Sequence, residues 1–120
     1  MLSKSLIPFI GSKNFEVSRA FYSALGFTEI PIDSSMSLFK IDEQRAFYLQ
    51  NAYVKEWIEN TMLFWELENL NQFHKDLKSL DLTFQFPEVR ISEIKNEVWG
   101  KEFFVHDPAG ILWHIGEFAD

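Results

Sequence analysis

Asn14-Phe15-Glu16-Val17-Ser18-Arg19-Ala20-Phe21-Tyr22-Ser23-Ala24-Leu25-Gly26-Phe27 decides how this chain folds, because its grammar returns later in Asn69-Leu70-Asn71-Gln72-Phe73-His74-Lys75-Asp76-Leu77-Lys78-Ser79-Leu80-Asp81-Leu82. Each stretch opens on an Asn, whose side chain can cap free backbone N–H groups. Each then places apolar residues at helical spacing. In the second stretch Leu70, Phe73, Leu77 and Leu80 form the stripe. In the first, Phe15 and Tyr22 lie on one side and Val17, Phe21, Ala24 and Leu25 on another, a wide apolar face. The spacing predicts helices over Phe15–Leu25 and Leu70–Leu80, the first stopped by Gly26.

Strand-like segments flank both helices. Ser5–Ile10, Phe27–Ile32, Ser37–Ile41 and Arg45–Gln50 surround the first, the last two joined around Asp42-Glu43. Met62–Glu68, Leu82–Phe86, Arg90–Ile94, Lys101–His106 and Ile111–Phe118 surround the second. The final pair turns at Asp107-Pro108-Ala109-Gly110, where Pro fixes one dihedral and Gly supplies a positive φ. Asn51–Thr61, which can make a short helix or a loop, links the halves. The order predicts an α+β fold of two βαβββ modules, at about residues 1–52 and 60–120 of one domain, with curved sheets around a cleft.

With 47% hydrophobic residues, 13 Phe and 4 Trp, the 120-residue chain is no disordered polymer. Its aromatics exceed what a minimal core needs, so some are expected on a binding surface. A formal net charge of −7 argues against nucleic acid and anionic membranes, and suits either plain solubility or a cationic ligand. There is no Cys, hence no disulfide, thiol nucleophile or thiolate-bound metal. No apolar run is long enough to span a bilayer. These features lead to the expectation of a cytoplasmic protein without membrane partners.

Three motifs carry a resemblance. Ser18-Arg19-Ala20-Phe21-Tyr22 running to Leu25-Gly26-Phe27, Trp99-Gly100 before a strand, and Asp107-Pro108-Ala109-Gly110 before the last strand stand in order across the chain. In these the chain resembles the vicinal oxygen chelate superfamily, the glyoxalase, bleomycin-resistance and extradiol-dioxygenase group. The resemblance implies two modules whose sheets form a cup with helices outside, and a homodimer. It is nearest to the small bleomycin-resistance-like proteins, which trap a cationic drug in clefts at the dimer interface.

Metal-using members of that superfamily place one His or Glu on each of four cup strands. Carried onto this chain, those positions fall on Ile7, on Tyr48 or Gln50, on Met62 and on His114. Only His114 is a good ligand, so no metal and no cofactor is expected. The expected ligand-binding residues are Phe9, Phe39, Tyr48, Met62, Phe64, Trp99, Glu102, Phe104 and His114, with no catalytic residue among them. Helix contact is the other reading for Phe39 and Phe104. Trp99 is placed to lid the cleft, and a Trp face suits a cation or a flat ring. The segment around Trp57 is read as a second rim, and Glu66, Glu97 and Glu117 as sources of negative potential or ordinary surface carboxylates. His106 reads as a turn residue and His74 as solvent-exposed. The function so read is metal-independent capture of a cationic or aromatic small molecule. The alternative is a metal-dependent lyase, dioxygenase or thiol transferase using His114.

Overall fold

The computed structural model describes residues 1–120. The elements run β1 (Phe9–Ile10), α1 (Phe15–Ala24), β2 (Thr28–Asp33), β3 (Met36–Lys40), β4 (Ala46–Gln50), α2 (Lys55–Glu59), β5 (Met62–Glu66), α3 (Leu70–Ser79), α4 (Leu82–Gln85), β6 (Arg90–Ile91), β7 (Lys95–Glu97), β8 (Gly100–His106) and β9 (Leu112–Phe118). Sheet A has the order β1-β4-β3-β2, and sheet B the order β5-β9-β8-β6, with β7 also on β8. In both sheets the first strand pairs in parallel with the last, the rest antiparallel. The repeat read in the sequence is therefore a repeat of βαβββ units with curved, open sheets.

The two helix starts differ. The Asn14 side chain accepts from the Val17 N–H at 3.2 Å, a true N-cap. Asn69 instead sits in the left-handed region at φ 56° and caps nothing with its side chain. There Glu117 on β9 accepts from the Leu70 N–H at 3.0 Å, so a carboxylate from sheet B tends the start of α3.

Leu82–Gln85 is helical, not the expected strand. Leu82, Phe84 and Phe86 mimic strand alternation, but only Leu82 is fully buried and Phe84 is exposed. Leu82 and Phe86 are four apart, the spacing of one helical turn, and the Phe86 N–H donates to the Leu82 carbonyl. The strand expected at Arg90–Ile94 is split into β6 and β7. The first strand is confined to Phe9–Ile10.

Both sheets turn one side to a common core. Phe39, Phe47 and Leu49 come from sheet A, and Phe103, Val105, Trp113 and Ile115 from sheet B. Phe47 and Trp113 meet across the sheets with ring centroids 5.6 Å apart. At the centre, the fully buried Tyr22 hydroxyl on α1 donates to Asp107 at 2.6 Å and accepts from the Trp113 indole N–H at 2.9 Å. The other Asp107 oxygen accepts from the N–H groups of Ala109, Gly110 and Ile111, each at 2.9 Å. Burial holds the Asp107 carboxyl above the usual Asp range despite these donors. Burial, reinforced by Asp107, pushes the Tyr22 phenol well above its ordinary value. The network ties the first unit to the β8–β9 turn of the second. Within one chain the helices lie against the inner, core sides, and the outer faces of the two sheets stay open to solvent.

Candidate functional site

Strand alternation lays out those outer faces as rows. On sheet A, Phe9 pairs with Tyr48, Tyr48 with Leu38, and Leu38 with Ile30. This is an apolar row across four strands. Phe9 stacks on Tyr48 with centroids 4.8 Å apart and planes at 22°.

On sheet B three rows are built. The middle row is Phe64, His114 and Phe104. On one side runs Met62, Leu112, His106 and Arg90. On the other runs Glu66, Gly116, Glu102 and Lys95. The inward residues between them, Phe103, Val105, Trp113 and Ile115, are buried in the core, which fixes the register.

Gly116 is the floor of an aromatic corner. A Cβ there would come within 2.8 Å of Phe64 and 3.1 Å of Trp99. The rings fill this space: Phe64 and Trp99 lie 6.0 Å apart, Trp99 and Phe118 5.0 Å, and Phe64 and Phe118 5.8 Å. Gly100 is required beside it, because a Cβ at that position would collide with the Glu117 carbonyl. The tight β7–β8 turn thus packs Trp99 onto β9, where its carbonyl accepts from Ala119 at 2.8 Å. Phe64 and Phe118 are each 50% exposed, so these rings form an open surface, not a filled core.

Beside the corner, His114 Nδ1 lies 3.6 Å from Glu102, whose side chain is only 12% exposed. Phe104 meets the His114 ring edge-on at 5.0 Å. Lys95 spans toward Phe104 from the strand edge, 5.5 Å from the ring centre. At the opposite end Arg90 and His106 face each other across β6 and β8. Partial burial, aided by the Arg90 charge, holds His106 below the usual imidazole value.

The expected site residues thus divide. Phe64, Trp99, Glu102, Phe104 and His114 come together on sheet B, with Met62 at their margin. Phe9 and Tyr48 come together on sheet A, and the ring contacts of the two groups stay within their own sheets. Phe39 joins neither group: it is fully buried against Tyr22 and Phe47, because its register on β3 points it to the core. Trp57 is exposed on α2. Glu117 caps α3 instead of facing outward. His74 is buried, not solvent-exposed. Its Nε2 lies 2.8 Å from the Ser92 carbonyl, and its ring packs on Phe103. His106 lies on β8 and its side chain shares the outer face with His114. Phe118, which sequence reasoning passed over, was signalled by its even spacing from His114 and Gly116 on one strand.

The superfamily's metal set does not fit. Met62 stands opposite Leu112, Tyr48 lies on the other sheet, and His114 has Glu102 as its one carboxylate neighbour. Nowhere do three His, Asp or Glu side chains converge as a cation would need.

No protein-family model matches the chain, and no curated protein sequence does. Solved structures match over nearly the whole length. A bleomycin-binding protein complexed with bleomycin superposes with TM-score 0.75 at 20% identity, covering 98% of this chain and 100% of that one. The bleomycin-binding protein of Streptomyces verticillus, complexed with copper(II)-bleomycin, gives 0.76 at 16%, covering 100% and 98%. A glyoxalase/bleomycin resistance protein from Catenulispora acidiphila gives 0.75 at 18%, covering 98% and 100%. At such identities the likeness is one of fold: this chain has the fold shared by glyoxalase and bleomycin-resistance proteins.

Proposed function

We propose that the chain binds a small aromatic or cationic compound on the outer face of sheet B and does so without turnover. The observation that carries this reading is the half-exposed cluster of Phe64, Trp99 and Phe118 packed onto Gly116, set beside the Glu102–His114 pair. Flat rings stack on such a surface, and a cation is drawn to its aromatic faces and to Glu102. The net charge of −7 adds a field of the same sense. Neither a nucleophile nor a third metal donor stands beside His114, so the pair reads as a hydrogen-bonding contact to the guest.

The fold likeness to bleomycin-binding proteins makes a bleomycin-type glycopeptide the first compound to test. In this reading a second copy of the chain completes the hollow. The apolar row of Phe9, Tyr48, Leu38 and Ile30, exposed at its two ends and half-buried between, is the surface offered to it. The test is titration of the protein with metal-free and copper(II)-loaded bleomycin, followed by tryptophan fluorescence and calorimetry. The expected result is saturable binding with unchanged drug recovered afterwards. Chemically altered drug overturns the reading of capture without turnover. No binding removes bleomycin as the guest.

A further inference from the structure

The outer face of sheet B is polarised from row to row: the row of Glu66 and Glu102, with Lys95 at its edge, lies on one side of the middle row, and Arg90 and His106 lie on the other. The chain has three arginines. Arg19 is held by Glu29 at 2.6 Å and Glu16 at 2.9 Å, and Arg45 by Asp42 at 2.8 Å. Arg90 has no acidic partner, in a chain where carboxylates outnumber Lys and Arg by 18 to 11. Facing it across the strands is His106.

Two clefts meet at this pair. One, of about 740 Å³, opens toward Lys13 and the β8–β9 turn; the other, of about 300 Å³, opens toward Phe104. Both are of ligand-site size. Glu59 and Glu88 also border the larger cleft. Glu59 is engaged with Lys55 at 3.3 Å, and Glu88 is the one uncommitted acid there. On the Phe104 side the pair is bordered by Ile91 and Ser92, with no acid.

We propose that Arg90 and His106 form an anion subsite that takes a carboxylate or sulfonate carried by the aromatic compound bound on the same face. The inference rests on the reading of that face as a binding surface. An unpaired guanidinium presents a planar fork that matches an oxyanion bidentately. His106 adds a second donor and gains a proton as the anion arrives. The smaller cleft connects this pole to Phe104 and hence to the middle row, so one guest can span both.

The test uses two dyes of similar shape: 8-anilinonaphthalene-1-sulfonate and its uncharged relative N-phenyl-1-naphthylamine. Each is titrated by fluorescence into the full chain, into Arg90→Gln and into Arg90→Lys, with circular dichroism confirming unchanged folding. Arg90 is exposed, so these changes do not threaten the core. The expected result is sulfonate binding weakened about tenfold by Arg90→Gln, less by Arg90→Lys, with the uncharged dye shifted less than twofold. Sulfonate binding should also tighten as pH falls through the His106 titration. Equal sulfonate affinity in the native chain and Arg90→Gln overturns the subsite. Failure of the uncharged dye to bind the native chain counts against the aromatic face itself, and the sulfonate comparison still decides the subsite.

Discussion

Sheets A and B share a plan of first strand parallel to last, and contrast most sharply on their outer faces. Phe9 and Phe64 both stand five residues before the Asn that precedes their helix, and both pair with the last strand of their unit. Across from Phe9 stands Tyr48; across from Phe64 stands His114. Next comes Leu38 in one sheet and Phe104 in the other. The flanking rows then part company, since only sheet B carries Glu66 and Glu102 on one side and His106 and Arg90 on the other. The inner faces do the opposite and mesh into one core through Tyr22, Asp107 and Trp113. The two units thus share an apolar inner side and part on the side that faces water. The apolar sheet suits a protein surface, and the polarised one suits a small guest.

The largest effect should come from cutting the shared inner side. Tyr22→Phe leaves a buried Asp107 oxygen and the Trp113 N–H unpaired, and is expected to cost about 2–3 kcal/mol in urea unfolding. A loss below about 0.5 kcal/mol would mean that the network does not couple the units. The pH dependence has a definite sign. Tyr22 holds its proton more tightly folded than unfolded, so its contribution is fully present below pH 10 and is lost as pH rises beyond it. The native chain should lose stability in that alkaline range more steeply than Tyr22→Phe, read from urea midpoints at stepped pH.

Next in size, Trp99→Ala removes one wall of the aromatic corner and should weaken binding of an aromatic ligand at least tenfold, with little change in unfolding. Leu38→Asp should leave the isolated chain folded but shift it toward monomer in sedimentation at micromolar concentration. If Leu38→Asp changes neither assembly nor binding, sheet A has no part in the hollow. The smallest effect is expected from His114→Tyr, which copies the sheet A residue into sheet B. A few-fold loss of affinity would assign His114 a hydrogen bond to the guest. No loss would make the two middle rows interchangeable.

The repeat was legible because alternation and capping are local. Lys101–His106 and Ile111–Phe118 read out as β8 and β9 within a residue, since every second side chain there meets the core. Phe39 was not placed, because both faces of sheet A are apolar and hydrophobicity alone could not choose between them. Leu82–Phe86 was misread because its alternation of apolar residues conceals a helical pair. His74 was misread because its partner, the Ser92 carbonyl, lies 18 residues away and leaves no trace in the helix pattern. The basic pole was missed for the same reason: Arg90 and His106 are neighbours only through strand pairing. For His74 and for the Arg90–His106 pair, what the sequence withheld was which distant groups meet.

Gly116 carries a lesson of its own. The seat under Phe64 and Trp99 exists because hydrogen stands where a methyl group would otherwise push both rings aside. The chain's own rings take up that space, so a planar visitor meets their outward faces and not the backbone beneath them. Enlarging that single residue would lift the Phe64 and Trp99 rings off the sheet, between the two carboxylates that flank it on the neighbouring strands.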